Sequence, residues 1–83
     1  MKRNSRYRAK DKNIAFGMIL RTTIREKGMK QREFAEKIGI HEVTLSRYIC
    51  GVNSPKPDFM KRIADTLGVT VGYLYGLEDK KDL

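Results

Sequence analysis

The stretch that decides the fold is Gln31–Gly51, which reads QREFAEKIGIHEVTLSRYICG. It consists of two short amphipathic runs, 31–38 and 42–50, separated by a segment that contains Gly39. In both runs the apolar residues recur at the spacing of one helical face: Phe34, Ala35 and Ile38 in the first, and Leu45, Tyr48 and Ile49 in the second. A break of about three or four residues that includes a glycine turns one helix into the next. The stretch therefore predicts a helix-turn-helix.

The composition indicates one small domain without a metal or a cofactor. The chain has 83 residues, of which 40% are hydrophobic, so it can bury a modest core. No apolar run approaches the length that spans a bilayer, and the charged N-terminus lacks the apolar segment of a secretion signal, so we expect a cytoplasmic protein. Cys50 is the single cysteine and His41 the single histidine, which excludes an intramolecular disulfide and a zinc site built from Cys and His. We expect Cys50 to be partly buried.

Charge is the property of the composition that points to a partner. Eighteen Lys and Arg against ten Asp and Glu leave a net charge of +8. For so small a domain this favours attraction to nucleic acid or to an acidic membrane, over the alternative of a basic protein that is merely soluble. Residues 1–12 hold six of the cations and a single acid, Asp11: Lys2, Arg3, Arg6, Arg8, Lys10 and Lys12. We interpret them as a flexible basic arm, whose end can join helix 1 and which orders on a phosphate backbone, although a disordered solubilising tail fits the same composition.

Three more helices are predicted around the central pair. The first runs from Asn13, which suits an N-cap, to Lys27, and it buries Phe16, Leu20 and Ile24. The fourth begins at Pro57, a residue favoured in the first helical turn, and ends before Gly68. The fifth spans residues 69–76, with three buried residues: Val69, Val71 and Leu74. The predicted architecture is an all-α, five-helix bundle over residues 13–76, followed by a charged tail at 77–83.

At these spacings the chain resembles the phage-repressor and Cro type of helix-turn-helix DNA-binding domain, the lambda-repressor-like or xenobiotic-response-element family. The resemblance covers about residues 16–76. Its marks are Gly28 before Met29, Gln31, Phe34–Ala35, Gly39–Ile40, Leu45–Ser46–Arg47, Gly51, Pro55, Ile63–Ala64, Leu67–Gly68–Val69, Tyr73–Leu74 and Gly76. Each mark is weak alone, and together they are specific.

The resemblance implies that helix 3 enters the major groove of double-stranded DNA and that four of its residues read bases: Glu42, Val43, Ser46 and Arg47. Arg47 suits the O6 and N7 acceptors of guanine, Glu42 suits the N4 donor of cytosine, and Val43 suits a thymine methyl group. For Glu42 the alternative is a role towards the helix dipole and solvent only.

Further residues are expected at the DNA backbone. The resemblance places Gln31 at a phosphate, where the N-terminus of a helix also favours an anion, and His41 at the edge of the groove. His41 is otherwise a cap or turn residue. Asn53 and Lys56 in the loop after helix 3 are further phosphate candidates. Some family members wrap DNA with a basic arm, as Lys2, Arg3, Arg6 and Arg8 can do here.

One pair of positions departs from the family pattern. Many members place an ion pair between helices 1 and 3 where this chain has Ile24 and Ile49. Both partners are replaced by apolar residues, which is tolerable in a packed core. We expect a direct contact between the two isoleucines and no loss of DNA binding.

The leading functional hypothesis is a sequence-specific transcriptional repressor that binds operator DNA as a homodimer, with a dimer surface at residues 71–75 and the edge of helix 4. The alternative is an antitoxin-like or protein-interaction module that uses the same fold and binds DNA weakly. Paired carboxylates, a metal cluster and a Gly-rich phosphate loop are missing from the sequence, so we do not expect an enzyme. We also expect no small-molecule effector site.

Overall fold

The computed structural model describes residues 9–77, with side chains from residue 13 onward. The described residues form five helices and no strand: α1 (Ala9–Glu26), α2 (Gln31–Ile38), α3 (Glu42–Cys50), α4 (Pro57–Leu67) and α5 (Val71–Leu74). The predicted all-α, five-helix architecture is confirmed.

The two helices of the central pair end in the same way. Gly39 and Gly51 have φ angles of 80° and 82°, in the left-handed region that a residue with a Cβ atom rarely adopts. After α2, the Ile40 N–H donates to the Ala35 carbonyl at 2.9 Å, and after α3 the Val52 N–H donates to the Arg47 carbonyl at 3.0 Å. These bonds satisfy carbonyls that the end of a helix leaves open, so the glycines stop both helices where the sequence predicted.

The first helix begins earlier than expected. It starts at Ala9, so Asn13 lies inside α1 and its prediction as the N-cap was wrong. The residues between them are Lys10, Asp11 and Lys12; Ala and Lys are good helix formers, which lowers the cost of extending the helix upstream. The predicted boundary between arm and domain falls inside this helix.

The last helix is shorter than expected, since it covers only Val71–Leu74 of the predicted range 69–76. Thr70 is its N-cap, and the hydroxyl of Thr70 accepts a hydrogen bond from the Tyr73 N–H at 3.0 Å. This cap holds Val69 outside the helix. Val69 and Leu74 are buried as predicted, but Val71 is only half-buried.

One apolar core joins all five helices. The predicted core residues of α1, Phe16, Leu20 and Ile24, are buried. They meet buried residues of the other helices: Phe34, Ala35 and Ile38 from α2, Leu45 from α3, Met60, Ile63, Ala64 and Leu67 from α4, and Leu74 from α5. Ile49 packs against this core from α3. Its direct contact with Ile24 stays a prediction.

Helix α3 packs most extensively against α1, and a glycine makes the approach possible. A Cβ atom at Gly17 would lie 2.7 Å from the carbonyl carbon of Ile49 and 2.8 Å from the carbonyl oxygen of Tyr48, and it would also meet the Ile49 oxygen. Gly51, the residue after α3, also lies against α1, since a Cβ atom there would lie 2.7 Å from Cγ1 and 3.0 Å from Cα of Ile14. The C-terminal end of α3 is therefore seated on the backbone of α1.

Helix α4 braces both helices of the central pair. The Arg62 guanidinium donates from Nη1 to the carbonyl of Ile38, the last residue of α2, at 3.3 Å. The same guanidinium lies 5.8 Å from the ring centre of Phe59, which is 6.4 Å from the ring of Tyr48 on α3. A continuous set of contacts thus runs from α2 through α4 to α3.

We predict that Gly17→Ala destabilises the protein. Alanine is favoured over glycine inside a helix by about 1 kcal/mol, yet its methyl group has no space beside the α3 carbonyls. Because backbone atoms would have to move, we expect the free energy of unfolding to fall by about 1–3 kcal/mol, measured by urea titration followed by circular dichroism.

The matched variant is Ala15→Gly at an exposed position of the same helix. It should cost about 1 kcal/mol through helix propensity alone. A Gly17→Ala protein more stable than the wild type would contradict the close approach of α1 to α3.

Candidate nucleic-acid interface

The outward face of α3 carries all four residues predicted to read bases. Leu45 is fully buried, so the helix has a clear inner side. Glu42, Val43 and Arg47 are exposed, and Ser46 is half-buried. The positions 42, 43, 46 and 47 follow the repeat of one helical face, so the structure brings these side chains together on one surface.

Cys50 continues this outward face. It lies one turn beyond Ser46, and it is exposed rather than partly buried, so the prediction of its burial was wrong. The reason is that Tyr48 and Ile49 turn inwards, and the next position rotates away from the core at the end of the helix.

The start of α2 presents backbone amides beside Gln31. The Lys30 N–H donates to Oε1 of Glu33 at 2.8 Å, so one amide at this helix end has an acceptor within the chain. The amides of the first turn have no carbonyl acceptor in an α-helix, and such groups suit an anionic oxygen. Gln31 is the first residue of α2 and is half-buried. Its geometry fits the predicted phosphate contact, which stays a prediction.

His41 takes the N-cap position of α3, as the sequence suggested. Its backbone is extended, its carbonyl accepts from the Leu45 N–H at 3.1 Å, and its side chain makes no capping hydrogen bond. The imidazole is therefore exposed at the turn between the two helices.

The two predicted loop residues lie at the other end of α3. The N–H groups of Val52 and Asn53 both donate to the Arg47 carbonyl, at 3.0 and 3.4 Å, which fixes the start of the loop. Lys56 is the N-cap residue of α4, and both Asn53 and Lys56 are exposed. Since α3 has nine residues, it is about 13 Å long, and this loop follows the end of α3 that is opposite Glu42.

Arg32 is a residue of this surface that the sequence did not single out. Its Nε lies 3.8 Å from Oε1 of Glu42, and the two side chains are 75% and 52% exposed. The pair joins the second residue of α2 to the first residue of α3. No helical spacing relates these positions, so only their proximity in the folded chain reveals the contact.

The arm residues Lys2, Arg3, Arg6 and Arg8 lie outside the described residues, as do residues 78–83 of the predicted tail. Within the described part of the chain, no group of His, Cys, Asp and Glu could hold a metal ion. No helix in that part is long and apolar enough to cross a membrane.

A helix-turn-helix family model matches residues 20–74, which is more than half of the 83 residues. The match begins within α1 and ends at the last residue of α5, so it contains the whole outward face of α3 and the start of α2. No curated protein and no solved structure matches the chain significantly. The resemblance to the phage-repressor and Cro type is thereby confirmed. The chain belongs to the Cro/C1-type helix-turn-helix family of DNA-binding regulators.

Proposed function

We propose that the protein is a sequence-specific repressor that acts in the cytoplasm and binds operator DNA with α3 in the major groove. The observation that supports this most directly is the single outward face of α3, opposite the fully buried Leu45. A helix of this kind fits the groove of B-DNA, where each base pair presents a distinct pattern of donors and acceptors.

The chemistry of that face suggests a different base contact for each of its side chains. Arg47 grips guanine O6 and N7 with its two-pronged guanidinium, and Glu42 accepts from cytosine N4. Val43, 59% exposed, offers a methyl surface to thymine, and Ser46 can donate or accept at several base edges. These four side chains carry the sequence preference.

A second group of residues holds the phosphate backbone and sets the register. Gln31 acts at the N-terminus of α2, where backbone amides favour an anion. Asn53 and Lys56 act from the loop beyond α3, and His41 acts at the edge of the groove. The basic arm, with Lys2, Arg3, Arg6 and Arg8, adds attraction that does not depend on sequence.

We also propose that the protein binds its operator as a homodimer. A two-fold pair of helix-turn-helix units reads half-sites about 34 Å apart. The surface around α5 supports this, because Leu77 is 79% exposed and Val71 and Tyr73 are half-buried. Tyr75 contributes less, since its ring packs 5.4 Å from the ring of Phe16.

The experiment that tests the proposed function is DNA binding as a function of salt. We expect the logarithm of the binding constant of the full chain to fall steeply and linearly with the logarithm of the salt concentration, because DNA releases counterions when the protein binds its phosphates. We also expect a duplex selected from a random library to bind at least about 10³-fold more tightly than random DNA. Affinity without preference at any salt concentration would leave a non-specific or protein-interaction role.

Single substitutions should separate base reading from backbone contact. We expect Arg47→Ala to cost about 1–3 kcal/mol on the selected duplex and to remove the preference at one base pair. Gln31→Ala should instead weaken binding to all sequences by a similar factor. Fluorescence anisotropy with the selected duplex and its single-base variants measures both. A uniform loss for Arg47→Ala would contradict its assignment to a base.

A charge placed just after α5, at Leu77, should break the dimer. We expect two wild-type protomers per operator in analytical ultracentrifugation, and one for Leu77→Asp, because an aspartate at a buried apolar contact is costly. The matched control is Met18→Asp on α1, where the methionine is 64% exposed. If Met18→Asp separates the protomers and Leu77→Asp does not, the dimer surface lies on α1 instead.

A further inference from the structure

Arg32 and Glu42 form an ion pair across the turn of the helix-turn-helix, with 3.8 Å between Nε and Oε1. The carboxylate of Glu36 lies one turn after Arg32 on the same helix. In such an ion pair, arginine before glutamate is the less favourable order. In the structure Arg32 pairs with Glu42 instead. The contact therefore links the N-terminal turns of α2 and α3.

The pair is accessible to solvent, and the guanidinium of Arg32 has N–H donors that the contact with Glu42 does not use. Both residues line an open cleft between α2 and the start of α3, together with Glu36, Gly39 and His41. The contact uses Nε of Arg32, and among the described residues the guanidinium makes no other ion pair or hydrogen bond. Its terminal nitrogens therefore keep their N–H donors for a ligand.

A carboxylate on a surface that meets DNA has an electrostatic cost, since it approaches phosphates and loses water. A neighbouring guanidinium offsets that cost, and the attraction between the two groups grows as water leaves the interface. Ion pairs this exposed contribute little to the stability of a free protein. The consequence of the pairing is thus expected in the complex with DNA rather than in the fold.

We infer that Arg32 and Glu42 act as one unit that reads a single base pair of the operator half-site. Glu42 accepts from the N4 amine of cytosine, while Arg32 neutralises the carboxylate and donates to a neighbouring phosphate through its terminal nitrogens. This inference rests on the proposed function and deepens it. Arg32 is a specificity-determining residue, because without it Glu42 is a repulsive charge beside the DNA.

The test is a double-mutant cycle with Arg32→Ala and Glu42→Gln in the full chain. The wild-type protein first selects its preferred duplex from a random library, and dissociation constants are then measured on that duplex and on its single-base variants. We expect Glu42→Gln to remove the preference for cytosine, about tenfold or more, at one base pair. Arg32→Ala should remove the same preference.

The two effects should not be independent. With Glu42 present, Arg32→Ala should weaken binding to the preferred duplex by about tenfold or more, and in the Glu42→Gln background by about threefold or less. An equal loss in both backgrounds, with the cytosine preference intact, would make Arg32 a simple phosphate contact and overturn the inference. A Glu42→Gln protein that keeps every base preference would overturn it as well.

A matched pair on α4 provides the control. Lys61 and Asp65 are 3.4 Å apart, with side chains 73% and 50% exposed, nearly the same exposures as in the Arg32–Glu42 pair. Lys61→Ala removes the same charge and should leave every base preference unchanged. A loss of the cytosine preference in Lys61→Ala would mean that total charge, rather than the pair, is responsible.

Two further measurements keep the outcome clear. The melting temperature of each variant should match that of the wild type, because both side chains are exposed. Arg32→Gln serves as a second variant that removes the same charge. If the wild-type protein selects no preferred duplex, the proposed function fails and this inference with it. If the wild-type protein selects a preferred duplex, and both Arg32→Ala and Arg32→Gln bind it with the affinity and base preferences of the wild type, only this inference fails.

Discussion

The close approach of α1 to the carbonyl end of α3 is the constraint on which the placement of the outward face of α3 depends. Gly17 has no side chain, so the α1 backbone meets the Tyr48 and Ile49 carbonyls directly. Gly51 extends this contact to Ile14. Because the C-terminal half of α3 is seated in this way, the position of its outward face relative to the core is set by backbone packing. A close-packed contact of this kind has little freedom to adjust.

Electrostatics acts on this surface at two ranges. The net charge of +8 attracts any polyanion and carries no information about sequence. Selection among sequences needs groups that are placed to within a hydrogen bond, and the first exposed residue of α3 is an acid. Under the proposed function, the contact of Arg32 with Glu42 lets a basic protein keep an acid on the surface that faces DNA. Under that proposal, affinity comes from the net charge and selectivity from the side chains on the outward face of α3.

Much of the fold follows from local patterns. The buried faces of α1, α2 and α4 repeat at helical spacing, and the ends of α2 and α3 coincide with glycines that take the left-handed conformation. The start of α1 was misjudged, because Asn13 suits an N-cap in isolation while the upstream residues also favour a helix. The extent of α5 was misjudged because Thr70, rather than the stop at Gly68, decides where that helix begins.

The sequence by itself determined the helix-turn-helix, its core residues and the outward face of α3, since helical periodicity and glycine stops are properties of neighbouring residues. Tertiary structure decided the seating of Gly17 on α3, the exposure of Cys50 and the pairing of Arg32 with Glu42. Those features join residues that no helical repeat relates, or depend on where a helix end meets its neighbours. They arise only when the core packs and fixes the helices relative to one another.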